Sequence, residues 1–537
     1  MRRSSVALAL LATPVLMLAS CSAEGSDPAA SGSGSAKGEL ADGGTFTIAV
    51  ESDPGNLDPS TTPSSVARSV LGLAYDTLVY QKADGTFVSG LAQKWESTAT
   101  TASFTLRKNV TCSDGSKLTA TDVADNITYI ANPKNASPLL NVLVREGTTV
   151  KADDTAGTVT VTAPSANGFL LTELSGVFII CRSGLADHKS IATKTAGTGP
   201  WVLGSSVANS SYDFTPRKGY DWGPDGTKLE GKGVPDKVRV RVISNVSTTA
   251  NLLLNGTVNM GGVTGTDTAR LASLKLPTID SIDTSGEIWF NQTAGRVAAD
   301  PAVREALITG VDRTALGRIA TGNNAQQPTS YITLEPNPCQ SNAPLRDALP
   351  EVDVAKAEQL LDNAGWETGS DGIRVKDGKR LSLSFIYDRK GSDARQSGTE
   401  YLLAQWKKLG VDVTLRTLPE AQLNEVFFQT GAWDAAFSSF TFNLPSQMAA
   451  FVSGAVTPNG ANFPHIENAA YDAAVKAATP QVGTASCGDW AKAEQALAEG
   501  NNPALLYTST NRTYLRKAQV TAPGGQIWGA SLRLRTA

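Results

Sequence analysis

"FTLRKNVTCSDGSKLTATDV", residues 104–123, changes its hydrophobic period partway through. Phe104 and Leu106 alternate with Thr105 and Arg107, so residues 102–110 read as a strand. Asp114-Gly115 is a turn dipeptide: Asp bonds its own backbone and Gly admits a positive φ. Thr119 then offers an N-cap hydroxyl, and Asp122, three residues on, comes close to a capping box. Val123, Ile127 and Ile130 share one face of the helix so started. "GTVTVTA" (157–163) returns to strand.

Mixed α/β character extends outward from this stretch. "GTFTIAV" (44–50) and "KVRVRVIS" (237–244) alternate as strands. Residues 65–80 have helical spacing, with Val66, Val70, Leu73 and Leu78 on one side. Residues 300–320 read as a single helix, with Asp300 as cap and Pro301 in the first turn. Another helix starts at Asp353 and stops at Gly365. "LSLSFIYD" (381–388), a helix around 399–410 and "VDVTLRTL" (411–418) form a β-α-β unit, which implies parallel strands and a right-handed crossover. At 537 residues the chain exceeds what one core accommodates, so several lobes are expected.

The N-terminus carries a different message. Arg2 and Arg3 precede an apolar run from Val6 to Leu18, then Ala19 and Ser20. Charged, apolar and small segments in that order make a secretory signal (1–20). Leu18-Ala19-Ser20-Cys21 looks like a lipobox, so Cys21 is the expected lipidation site. Two or three acyl chains there would anchor the chain stably to a membrane. Residues 21–42 have little to bury and read as a tether.

Composition excludes several functions. The net charge is −4 and no long basic run occurs, which argues against nucleic acid. Only His188 and His465 are present, and neither opens an HExxH. No GxSxG elbow and no GxxxxGK[ST] loop occur. No enzyme activity, catalytic residue, cofactor or metal site is expected. Besides Cys21 there are Cys112, Cys181, Cys339 and Cys487, none in a CxxC pair. In an exported chain this even remainder suggests disulfides, with three pairings open.

Several segments, taken in order, resemble one family. They are "GGTFTIAVESDPGNLDPS" (43–60), "YDTLVY" (75–80), "GLAQKWE" (90–96), the opening stretch, "GTGPWVL" (197–203), "RKGYDWG" (217–223), "LLLNGTVNM" (252–260), "WFNQ" (289–292), "DPAVREALITGVDR" (300–313) and "AKAEQLLDNAGW" (355–366). Together they resemble the extracellular solute-binding proteins of family 5, the dipeptide, oligopeptide and nickel binders of ABC importers.

The resemblance implies a two-lobed periplasmic-binding-protein-like α/β fold of the class II type, with an extra domain in the first lobe. Lobe I would comprise 43–72, 195–285 and 505–537, with the extra domain at 73–194 and lobe II at 286–504. Hinges are expected near 286–288 and 502–505. That division implies Cys112–Cys181 and Cys339–Cys487 bridges, because cross-pairing would tie together parts that move apart. It also implies a monomer on the outer face of the bacterial cell membrane that passes a small-molecule or peptide-like solute to a permease. An exported receptor or chaperone-like protein on the same fold is the second reading.

In peptide-binding relatives, the segment matching 433–448 supplies an aspartate for the peptide's α-ammonium group. Here "WDAAFSSFTFNLPSQM" has no aspartate in its second half. Asn443 is the nearest polar residue, beside Trp433, Phe440 and Phe442. Trp289 and Asn291 complete the expected ligand-binding set. Oligosaccharide, opine and nickel chelate are the alternative ligands, with neither histidine placed in the cleft. Gly197, Gly199 and Arg304 are read as fold-building residues.

Overall fold

The computed structural model describes residues 38–340, 344–345, 348–387, 393–418 and 420–536. The signal segment, Cys21 and the tether as far as residue 37 lie outside them.

Three sheets organise the chain. An eight-stranded mixed sheet has Thr45–Val50 near its middle, parallel to Lys237–Val242 on one side and to Met260–Val263 on the other. Thr508–Leu515 and Thr278–Asp283 extend it antiparallel beyond Met260–Val263. A five-stranded sheet contains the expected β-α-β unit: Ser382–Tyr387 lies parallel to Asp412–Thr417, with the helix Asp393–Lys408 between them. The third sheet is four-stranded and antiparallel, from Ala92–Ser97 to Thr158–Thr162, with the helix Ala120–Ala131 beside it. Ala325–Gln326, within the 286–504 segment, pairs with Thr508–Ser509 of the eight-stranded sheet. Among the described residues no helix is long and apolar enough to cross a membrane.

The opening stretch folds as its residues dictate. Gly115 has φ +85°, and the Thr119 hydroxyl and Asp122 carboxylate form a complete capping box. Two helices differ from expectation. Residues 65–80 are helical only over Ser65–Leu71. Beyond Gly72 the carbonyls of Leu73 and Ala74 accept from the N–H groups of Trp201 and Gly199, both at 2.9 Å. The helix stops because those carbonyls serve another segment. A Cβ on Gly199 would sit 2.3 Å from the Ala74 carbonyl carbon, so only glycine fits that approach. Residues 300–320 form two helices, Pro301–Thr309 and Arg313–Thr321, because Asp312 caps a second start with a bond from the Ala315 N–H. Arg304 pins the first of them to the carbonyls of Ala298, Ala299, Gly500 and Asn501 at 2.9–3.2 Å.

The Glu287–Phe290 strand divides the core around the five-stranded sheet by alternation. Ile288 and Phe290 face one cluster, with Trp406, Leu307 and Phe437. Trp289 faces another, built from Trp433, Phe427, Phe463 and Phe442. Cys112–Cys181 and Cys339–Cys487 are both bonded, with Cα–Cα distances of 6.0 and 5.1 Å.

Candidate functional site

Two antiparallel chain passages join the eight- and five-stranded sheets. One runs from Thr278–Asp283 into Glu287–Phe290, the other from Pro503–Leu505 into Thr508–Leu515. They cross where Gly286 N–H donates to the Tyr507 carbonyl at 3.0 Å and Leu506 N–H to the Gly286 carbonyl at 2.9 Å. Just before this crossing, Pro503–Leu505 still pairs with Glu287–Trp289 in the five-stranded sheet.

Away from this crossing, a cavity of about 310 Å³ is lined by residues from distant stretches of the chain. Arg68 of the helix Ser65–Leu71 and Gln526 near the C-terminus form one part of its wall. Leu143, Thr172 and Glu173 line it from the 73–194 segment. Glu335, Asn443 and Gln447 line it from the 286–504 segment. Polar groups from separate parts of the chain converge on it, as they do in ligand pockets.

The electrostatics of the walls are uneven. Burial pushes the Glu173 carboxyl up to about 7, against the pull of Arg145 at 3.6 Å and an Asn167 amide bond of 2.6 Å. Burial lowers the Arg68 guanidinium to about 10, so it stays charged at neutral pH. Asn443 is half-buried in the wall. The segment 433–448 supplies no carboxylate from its second half, but Glu173 and Glu335 bring two to the same cavity from elsewhere.

The other sequence candidates sit behind this wall. Trp289 and Trp433 are fully buried, and Asn291 is 1% exposed. The Asn291 amide donates to the carbonyls of Gly431 and Trp433, while its oxygen accepts from Thr293. Phe440 is half-buried and packs on Trp289 at 5.2 Å, Phe463 at 5.3 Å and Phe451 at 5.8 Å. Phe442 is buried, and its carbonyl accepts from the Leu334 N–H. These aromatics hold the segment that presents Asn443. His188 bonds Asp58 at 2.7 Å and stacks on Tyr129, and neither His188 nor His465 lines the cavity.

Arg68, Glu173, Glu335 and Gln447 were not among the sequence candidates. The one available signal was Arg68 itself, a lone cation in the apolar run "SVARSVLGL".

The family model for bacterial extracellular solute-binding proteins, family 5 Middle, matches residues 86–463. The nickel-binding periplasmic protein of Escherichia coli is 28% identical over 439 residues, covering 78% of this chain and 79% of that one. The periplasmic murein peptide-binding protein MppA of Escherichia coli is 25% identical over 86% of this chain and 87% of its own length. Among solved structures, a substrate binding protein from Microbacterium hydrocarbonoxydans complexed with 4-hydroxybenzoate hydrazide superimposes with a TM-score of 0.70. It is 26% identical, over 91% of this chain and 99% of that chain. A two-lobed fold, a cavity between its parts and a match over most of the sequence agree: this chain belongs to the bacterial extracellular solute-binding proteins of family 5, which capture solutes for ABC importers.

Proposed function

We propose that the chain captures a small, peptide-like or other polar organic solute between its lobes, and presents the closed form to a membrane permease. The observation that supports this is the cavity lined at once by Arg68 and Gln526, by Leu143 and Glu173, and by Glu335 and Asn443, which the proposed division assigns to lobe I, its extra domain and lobe II. A solute that touches all of them gains its full contacts only when the lobes are shut, and shifts the open–closed balance by that difference. At about 310 Å³ the cavity is at the small end of ligand pockets, roughly 300–1,000 Å³, which favours a short solute over a long peptide. The murein peptide-binding relative supports the peptide-like reading and the Microbacterium protein the small organic one. A nickel chelate, which the Escherichia coli nickel-binding relative suggests, has less support, since both histidines lie away from the cavity.

In the second-lobe wall, recognition rests on stacking and neutral hydrogen bonds, with Asn443 among the donors, and it does not depend on a free α-ammonium group. Titration calorimetry with tripeptides and their N-acetylated forms tests this. Tight binding that acetylation destroys would transfer the recognition to Glu173 or Glu335. The protein acts as a monomer on the outer face of the membrane, held there by a lipid on Cys21. Cys21→Ser should abolish lipid labelling and release the chain from membranes; unchanged labelling and retention would refute the anchor.

A further inference from the structure

The cavity holds one cation with no counter-ion. Arg68 stands on the short helix Ser65–Leu71 and lines both this cavity and a neighbouring one of about 180 Å³. Its Nη2 donates to the Gly176 carbonyl, and its Cζ lies 4.9 Å from the centre of the Phe178 ring. Its Nη1 is buried and has no hydrogen-bond partner among the described residues. No carboxylate among the described residues forms an ion pair with it. Both acids in the same cavity wall are engaged elsewhere: Glu173 with Arg145 and Asn167, and Glu335 with the Gln340 amide. Arg304 also lacks an ion pair but spends its nitrogens on four carbonyls, whereas Arg68 reaches one carbonyl and leaves Nη1 unbonded.

Arg68 is half-buried with Nη1 shut off from water, where an unpaired charge is costly, and a guanidinium's five donors match a carboxylate in a two-point fork. Replacing Arg68 by a neutral residue would remove that cost, so its presence here calls for a partner that the protein itself does not supply. We infer that the captured solute carries an anionic group, a carboxylate, and that Arg68 is the residue that reads it, with the amides of Asn443 and Gln447 on the facing wall. The inference rests on the solute-capture reading above and narrows its ligand to acids. The charge also orients the solute: its acidic end lies toward the helix Ser65–Leu71 and Phe178, and its neutral part toward the segment 443–447.

The test uses a culture-medium extract rich in short peptides and organic acids, and the same extract after methyl esterification, which caps every carboxylate. Both are passed over the immobilised full chain, as wild type, Arg68→Gln and Arg68→Lys, and retained solutes are identified by mass spectrometry. Wild type should retain acid-bearing solutes from the untreated extract and at least tenfold less of their esters. Arg68→Gln should retain ten- to hundredfold less of the acids, in line with loss of a charged hydrogen bond. Arg68→Lys should recover part of that loss, which a merely structural defect would not allow, and a thermal melt close to wild type in both variants checks the fold. Equal retention of acids and esters by wild type, or acid retention undiminished in Arg68→Gln, overturns the inference while solute capture stands. A wild-type column that retains nothing from either extract counts against solute capture itself, and the inference falls with it.

Discussion

The backbone N–H of Phe440 donates to the carboxyl of Glu287 at 2.8 Å. One bond thus ties the aromatic segment behind the cavity to the first residue of the strand Glu287–Phe290. Glu287 is 1% exposed, and burial pushes its carboxyl up to about 8, only partly opposed by the Phe440 N–H and the Trp289 indole. The folded chain therefore holds this proton more tightly than the unfolded one, whose carboxyl titrates near the ordinary 4.5. The stability this gives is complete below about pH 4.5 and is lost as the pH rises to about 8. Burial raises Glu173 and Glu494 to about 7, and they act in the same direction. Thermal melts should fall steadily across that window. Glu287→Gln should flatten the fall and melt about 2–4 °C above wild type at pH 8; a parallel pH curve for the variant would show that Glu287 is ionised in the fold.

The two disulfides close separations of 69 and 148 residues. Each is expected to stabilise by about 2–4 kcal/mol, mainly by restricting the unfolded chain. Non-reducing peptide mapping should recover Cys112 joined to Cys181 and Cys339 joined to Cys487. Paired serine substitutions should lower the melting temperature at each bridge and leave solute affinity within about threefold, since none of the four cysteines lines the cavity.

What the sequence revealed followed the range of the forces involved. The Thr119–Asp122 capping box, the Asp114-Gly115 turn and the Asp300 cap depend on residues within three positions of each other, and all three are found as read. The strand–helix–strand unit at 382–417 also declares itself by period alone. Reading failed where distant backbone competed. The helix from Ser65 ends early because residues 199 and 201 claim its next carbonyls. The helix over 300–320 breaks because Asp312 offers a second cap that a purely apolar pattern does not weigh. The cavity was the least legible part. Arg68, Glu173, Glu335 and Asn443 come from four separate stretches, and no local pattern distinguishes a charged wall residue from a solvated one. The aromatic residues of 433–448 were conspicuous for the opposite reason: they are the core that supports the wall.

Asn443 brings a half-buried amide to the second-lobe wall. Truncating a buried hydrogen-bond partner costs about 1–3 kcal/mol. Asn443→Ala should therefore weaken binding of the solute eluted from wild-type protein by about tenfold to a hundredfold in titration calorimetry. Phe442→Leu, one position earlier but facing the core, should lower the melting temperature and change affinity far less.

The 73–194 segment also bonds directly to residues 479–483. Gly168 N–H donates to the Thr479 carbonyl at 3.0 Å, and the Gly168 carbonyl accepts from the Gly483 N–H at 2.8 Å. Next to it, Phe169 is buried in the core around Trp289 and Trp433, 6.1 Å from the Trp490 ring. A Cβ on Gly168 would stand 1.9 Å from the Gln481 carbonyl oxygen, so backbone would have to move to admit it. Overpacking of this kind costs about 1–3 kcal/mol. If the contact forms as the lobes shut, the whole penalty falls on the closed form. Gly168→Ala should then weaken solute binding by about tenfold to a hundredfold, although Gly168 is not part of the cavity wall beside Asn443. Its solute-free melting temperature should stay near wild type, and X-ray scattering should show the solute-free variant as extended as the solute-free parent. A large drop in melting temperature with unchanged affinity would instead make the Gly168 contact a permanent joint, and would move the closing motion to the remaining walls, between Arg68 and Asn443.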